Sequence, residues 1–203
     1  MNPYLIAVLL ILVAQYVLGL TSDLLNVRNI SGELPAEFQG CYDGDKYRTS
    51  QEYLSDHTRL GVVQSSVSTG LLLVLILTGA FNLVDRLARG CDAGPILTGL
   101  VFIGIVVLVM KVLDLPFSIY DTFVIEEKYG FNRTTPGTFV LDLVKELALT
   151  AVIGGLLLSA VLWIFGRAGG QAWLICWATV AVFQVFVIFI APYVIMPLFN
   201  KFV

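Results

Sequence analysis

The sequence predicts an all-α, polytopic membrane protein with about five transmembrane helices, and three observations support this fold class. Hydrophobic residues make up 58% of the 203 residues, charged residues make up 13%, and the mean hydropathy is +0.87, which is far from the composition of a soluble domain. Five apolar stretches each supply the roughly 20 residues that a helix needs to cross ~30 Å of hydrocarbon. The residue alternation of a membrane barrel is absent, so the spans are predicted to be helical.

The five spans are predicted to form one transmembrane domain, residues 1–203. An extramembrane insert covers 21–60, and its second half is predicted to be an amphipathic helix that continues into the second span with little or no break. A loop covers 116–137. The first stretch could be a cleavable signal peptide, but no Lys or Arg precedes it and it is long for a signal core, so it is interpreted as a span. The predicted spans are roughly 3–20, 61–84, 96–115, 138–165 and 171–195.

The basic residues predict the orientation in the membrane. Five spans put the termini on opposite sides, and only Arg86, Arg89 and Arg167 fall on one of them. Because Lys and Arg accumulate in cytoplasmic loops, segments 21–60 and 116–137 and the C-terminus are predicted to be cytoplasmic. The membrane would be a bacterial inner membrane or the endoplasmic reticulum.

Two further classes receive no support from composition. The net charge is −3, and no basic patch with interleaved aromatic residues is present, so nucleic acid is not an expected partner. Cys41, Cys91 and Cys176 fall in separate regions without CxxC spacing. They are interpreted as unpaired thiols, not as a disulfide framework or a metal cluster.

The loop at 116–137 carries an unusual concentration of polar and aromatic residues. Glu126 and Glu127 suggest paired acid–base carboxylates, but neighbouring residues on a helix diverge by about 100° and do not face each other. Capping a helix, pairing with Lys128 or Arg133, or docking another domain is the preferred interpretation. The candidate docking or structural residues are Glu126, Glu127, Lys128, Tyr129, Gly130, Phe131 and Asn132.

Two charged pairs flank this loop at the ends of spans. Lys111 and Asp114 close the third span, and Asp142 and Lys145 open the fourth, each pair three residues apart and so on one helical face. Charges near the end of a span often reach the interface, which makes an anchoring ion pair the simpler interpretation. Alternatively, these charged side chains face a hydrated cavity. A further alternative is that they line the ion path of a small transporter or channel.

Three blocks of sequence resemble the N-terminal membrane region of the type-I CAAX prenyl endopeptidases, integral-membrane zinc metalloproteases. The middle block is the most specific, and the three together span nearly the whole chain. The blocks are PAEF at 35–38 with Tyr53 and 58–61 (TRLG), LPFSIYDTFVIEEKYGFNRTT at 115–135 with Asp142 and Lys145, and APYVIMPLFNKF at 191–202.

The resemblance implies spans that enclose a large chamber, with a cytoplasmic-facing zinc site near its opening. It implies that the parent cleaves prenylated or other membrane-associated proteins near their C-terminus, with zinc as cofactor. The partners would be the lipid bilayer, a zinc catalytic domain expected after residue 203, and the peptide substrate. The implied junction to that domain contains Pro197, Phe199, Asn200 and Lys201.

The chain departs from the family at the catalytic motif. Family catalysis needs HExxH, in which two His on one helical face hold zinc and the Glu activates the metal-bound water. The only histidine of the 203 residues is His57, so the chain alone is predicted to have no catalytic or metal-binding residues and no activity. The alternative is a non-catalytic membrane scaffold or binding protein with the same fold.

Overall fold

The structure is a computed structural model that describes residues 2–31, Leu34 and 43–199, and these residues form helices and connections without any strand. Five helical stretches are long and apolar enough to cross a membrane, which confirms the predicted fold class. The stretches are Pro3–Arg28, Gly44–Leu77, Gly94–Glu126, Pro136–Arg167 and Gly169–Phe199.

Within these stretches, regular α-helix is interrupted by short wider or tighter turns. π-Helical turns occupy Asp121–Glu126, Thr150–Gly154 and Ala191–Ile195, and a 3₁₀ turn occupies Gly169–Gln171. The α-helices are α1 (Pro3–Arg28), α2 (Gly44–Leu77), α3 (Ala80–Arg89), α4 (Gly94–Tyr120), α5 (Pro136–Leu149), α6 (Gly155–Arg167), α7 (Ala172–Ile190) and α8 (Met196–Phe199).

The second span ends earlier than predicted. Helix α2 stops at Leu77, and Thr78 Oγ1 donates a hydrogen bond back to the Val74 carbonyl at 2.7 Å. Gly79 then adopts φ +71°, which ends a helix at little cost for glycine alone. Residues 80–89 form the separate helix α3, so the second span, predicted to reach residue 84, ends at Leu77.

Half of the predicted loop at 116–137 is helical. Helix α4 continues through Pro116 to Tyr120, and the π-turn carries the helical chain on to Glu126. Proline removes one backbone donor, but its φ suits a helix, and interruptions of this kind are tolerated in membrane helices. Likewise, the predicted insert at 21–60 is helical up to Arg28 and again from Gly44.

Two compact units divide the chain. Unit 1 comprises Met1–Phe81 and Val109–Arg133, and unit 2 comprises Asn82–Leu108 and Thr134–Val203. In unit 1, helix α1 packs on α2, and the hydroxyls of Tyr16 and Ser66 form a 2.8 Å hydrogen bond between them.

Unit 2 is built around the packing of α6 on α7. Ile164, Ala172 and Cys176 form its small buried core. Helix α4 approaches α6 closely at Gly99, where a Cβ atom would lie 2.6 Å from Leu162 Cδ1. Glycine therefore permits the close helix contact that small residues allow in membrane proteins.

Several predicted features lie outside the described residues. They are the PAEF segment at 35–38, Cys41, and the junction residues Asn200 and Lys201. Pro197 and Phe199 are described and lie in the short helix α8. Pro192 lies in the π-turn between α7 and α8.

Candidate functional site

The site in unit 1 begins as a polar seam between α2 and the end of α4. Gln64 Nε2 donates to Asp114 Oδ1 at 3.2 Å, and His57 Nε2 lies 3.6 Å from Asp121 Oδ2. Between these contacts the residue number falls by seven on α2 and rises by seven from α4 into the π-turn that follows it, so the two chain segments run antiparallel. Seven residues are about two helical turns, which keeps both contacts on one face.

Beyond this seam, α2 is joined to the segment that follows the π-turn. Asp56 Oδ2 accepts hydrogen bonds from Lys128 Nζ at 2.6 Å and from the Tyr129 hydroxyl at 2.8 Å. These side chains are 72 and 73 residues apart in sequence. The Asp56 carboxylate therefore holds two consecutive residues of the sequence block at 115–135 against the polar half of α2.

The Asp56 hydrogen bond raises the pKa of Lys128 above its ordinary value. A raised pKa means that the folded state favours the charged amine, so this contribution to stability is complete below the pKa of a free lysine. It is lost only as the pH rises through the higher, folded-state pKa. Lys128 therefore keeps its charge, and its bond to Asp56, across the physiological range.

An aromatic cluster lies beside the Asp56 contacts. The ring centroid of Tyr53 is 5.4 Å from that of Tyr129 and 5.0 Å from that of Phe131, with interplanar angles of 78° and 83°. Both are edge-to-face arrangements, which aromatic rings favour. The centroid of the His57 ring lies 5.8 Å from that of Tyr53. Tyr53 is thus the centre of the cluster.

The turn after Lys128 is a Schellman motif, the standard glycine-dependent end of a helix. Phe131 N–H donates to the Glu126 carbonyl at 2.8 Å, and Gly130 N–H donates to the Glu127 carbonyl at 3.1 Å. Gly130 has φ +73°, as the motif requires. A 3.0 Å bond from Asn132 Nδ2 to Glu127 Oε2 closes the turn. The Glu127 and Asn132 side chains therefore stabilise the turn through their mutual hydrogen bond.

Gly130→Ala is expected to lower the free energy of unfolding by about 1 kcal/mol, because alanine pays a steric cost at positive φ. Open space surrounds the position, so the loss would come from the backbone alone. Gly137→Ala is the matched control, since Gly137 begins α5 and a Cβ there makes only an ordinary 3.9 Å contact. Chemical denaturation in a mild detergent would compare them, and equal losses would contradict the assignment.

The charged residues at span ends have the following partners. Asp114 accepts from Gln64 in the seam. In unit 2, Lys145 Nζ lies 2.9 Å from Asp142 Oδ1 and 5.6 Å from the centroid of the Phe199 ring. Lys145 thereby connects α5 to the helix that contains Pro197 and Phe199.

Sequence reasoning missed the role of Asp56. The Glu126–Asn132 segment was expected to dock another domain or to order a loop, and the contacts of Lys128, Tyr129 and Phe131 with Asp56 and Tyr53 of α2 were not foreseen. Lys128 pairs with Asp56 and not with Glu126 or Glu127. The only signal was position, because Tyr53 and Asp56 are three residues apart on a predicted amphipathic helix and share one face.

The described residues do not fit a zinc site. Among residues 2–31, 34 and 43–199, no three His, Cys, Asp or Glu side chains lie close enough together to hold a metal ion. His57, the only imidazole of the sequence, faces Asp121. The Asp121 Oδ1 atom is buried and has no hydrogen-bond partner within that part of the chain.

Comparison with protein families gives a match to one model over most of the chain. The model, described as CAAX prenyl protease N-terminal, five membrane helices, matches residues 23–201. The CAAX prenyl protease 1 homolog of Oryza sativa subsp. japonica is 31% identical over 208 residues, covering 98% of this chain and 49% of the relative. The probable CAAX prenyl protease 1 of Schizosaccharomyces pombe is 34% identical over 185 residues, covering 83% of this chain and 38% of the relative.

A solved structure has the same fold. The crystal structure of S. mikatae Ste24p superimposes with a TM-score of 0.89 at 26% sequence identity, covering 100% of this chain and 49% of that one. The chain therefore spans about half the length of these proteins, or less. The number of membrane helices in the family description equals the number of membrane-length helices in the structure.

Proposed function

The chain belongs to the CAAX prenyl protease N-terminal family, and on that premise we propose that it is the membrane portion of a zinc metalloendopeptidase. The parent enzyme would cleave prenylated or other membrane-associated proteins near their C-terminus. The observation that carries this proposal is the likeness over the full length of the chain to Ste24p, together with relatives named as CAAX prenyl proteases.

We propose that the membrane helices form the wall of the chamber that receives substrate, while zinc is held elsewhere in the parent. The described residues lack a fitting donor set, and the chain covers about half of its relatives. When bound by an HExxH motif, zinc would activate a water molecule for attack on the peptide bond. The 203 residues contain one histidine and cannot supply that motif, so the chain alone would be inactive.

The role proposed for the Glu126–Asn132 segment is to receive the zinc domain. Asp56 and Tyr53 hold the segment from one side, while Lys128 and Phe131 stay more than half exposed and the Glu126 side chain makes no hydrogen bond or ion pair with the described residues. Rigid support on one side and exposed side chains on the other suit a docking surface. Helix α8 would lead into the same domain, with Lys145 fixing its Phe199. The segments 21–60 and 116–137 and the C-terminus would be cytoplasmic.

Expression of two proteins would test the proposed function. One is the 203-residue chain, and the other is the complete product of its reading frame, each assayed on a farnesylated peptide with zinc measured in parallel. The chain alone is expected to give no cleavage above buffer and no stoichiometric zinc, whereas the complete product cleaves and holds one zinc per molecule.

The alternative function is a non-catalytic membrane scaffold or binding protein. It would be established if the complete reading frame ended near Val203, or if its product lacked an HExxH motif and neither bound zinc nor cleaved. Cleavage by the 203-residue chain itself would contradict both proposals.

A further inference from the structure

A cleft in unit 1 points to a lipid site that is independent of proteolysis. We propose that this cleft, between α2 and the π-turn after α4, binds an acidic glycerophospholipid. Its volume is about 410 Å³, within the range of small-molecule sites. Arg59 and Lys128 line it together with the apolar side chains of Leu60, Val63, Tyr120 and Val124.

Arg59 supplies the charge that this proposal needs. It is exposed, and it makes neither a hydrogen bond nor an ion pair with any residue in the described part of the chain. Lys128 also lines the cleft, but its amine is already bound to Asp56. The charged residues that line the cleft are Asp56, Arg59 and Lys128, which together give a net charge of +1. This charge favours an anion bound chiefly through Arg59.

The position of Arg59 along α2 places the cleft at the water–hydrocarbon boundary. Between Gly44 and Arg59 the helix carries charges of both signs, whereas no Asp, Glu, Lys or Arg occurs from Leu60 to Leu77. Arg59 is thus the last charge before the apolar span. Its side chain is directed toward the helix N-terminus, the polar side, where a lipid phosphate lies.

The apolar wall identifies the occupant as a lipid and not as a free anion. Val63 is 53% exposed, Tyr120 is 49% exposed and Val124 is 46% exposed. On α2, Arg59 and Val63 are four residues apart and so lie on one face. A phosphate at Arg59 would therefore leave its acyl chain along Val63 and Val124. Inorganic phosphate has no acyl chain and would make no apolar contact with these side chains.

Native mass spectrometry of the 203-residue chain would test the site. The chain would be released from a neutral detergent containing phosphatidylglycerol or phosphatidylcholine with the same acyl chains, with inorganic phosphate as a third ligand. One retained phosphatidylglycerol is expected, with apparent affinity about fivefold lower in Arg59→Gln, because one basic residue near an anionic lipid surface contributes about that factor. Arg59→Lys is expected to retain most of the affinity.

Arg48→Gln is the matched control, since Arg48 lies on the same helix outside the cleft and pairs with Glu52 at 3.7 Å. Its affinity for phosphatidylglycerol is expected to stay within about twofold of the unmodified chain. An equal loss in both variants would overturn the site, because it would indicate attraction by overall charge. Equal retention of phosphatidylcholine, or displacement of the lipid by millimolar phosphate, would also overturn it. None of these results bears on cleavage by the parent enzyme.

Discussion

Tyr53→Ala is expected to lower the free energy of unfolding of unit 1 by about 2 kcal/mol, the largest stability effect in the site. The ring contacts Tyr129 and Phe131 edge-to-face, and the His57 ring lies 5.8 Å from it between centroids. Because Tyr53 is only half-buried, the loss should fall below the ~3–5 kcal/mol typical of a fully buried aromatic residue. Removing the ring would leave the Asp56 hydrogen bonds to hold the segment after the π-turn on α2 without the aromatic contacts.

Two measurements would check this prediction. Denaturant titration of the purified chain in detergent should give the lower stability, and limited proteolysis should cleave faster between Tyr129 and Thr135. Tyr53→Phe is the matched control, because it keeps the ring packing and should unfold within ~0.5 kcal/mol of the unmodified chain. Leu54→Ala, at an exposed neighbouring position, should also be nearly neutral. A Tyr53→Ala chain as stable as either would show that the aromatic cluster contributes little.

The existence and number of the helices could be predicted from sequence because the bilayer imposes a strong local rule. About 20 apolar residues must form helix to satisfy their backbone groups, whatever they contact. The ends of helices follow weaker signals. Gly79 ends α2 through one positive φ, and the third span, predicted to end at residue 115, continues as helix through Pro116.

The centre of the site could be predicted only in part. The Glu126–Asn132 segment stood out by composition, and its glycine marks a turn that sequence alone can suggest. Asp56 did not stand out, since an isolated acid on an amphipathic helix is usually solvated. Its importance depends on partners 72 and 73 residues away, brought together by the packing of α2 on the π-turn at Asp121–Glu126. No local pattern encodes such a contact.

Glu126→Gln in the complete enzyme is expected to reduce kcat/KM for a farnesylated peptide by about tenfold, while zinc content and unfolding temperature stay unchanged. This prediction rests on the proposed function. The Glu126 backbone carbonyl is used by the turn, but its half-buried side chain forms no hydrogen bond or ion pair with the described residues. A half-buried carboxylate that has no partner among the described residues is suited to contact the zinc domain. Loss of one charge-assisted hydrogen bond to that domain accounts for a reduction of about tenfold in kcat/KM.

Glu127→Gln distinguishes docking from turn stability. Glu127 accepts a bond from Asn132 within the turn, and the amide oxygen of glutamine can still accept it without the charge, so the variant should lose a little stability and keep kcat/KM within about threefold when the protein is folded. Asn132→Ala removes the donor of that bond, and it should likewise lower stability while leaving kcat/KM of the folded protein nearly unchanged. If Glu126→Gln instead released zinc from an otherwise folded enzyme, Glu126 would act on the metal centre and the segment would not be a docking surface. If both glutamate variants lost activity in proportion to stability, the segment would serve only to hold α2 and α4 together.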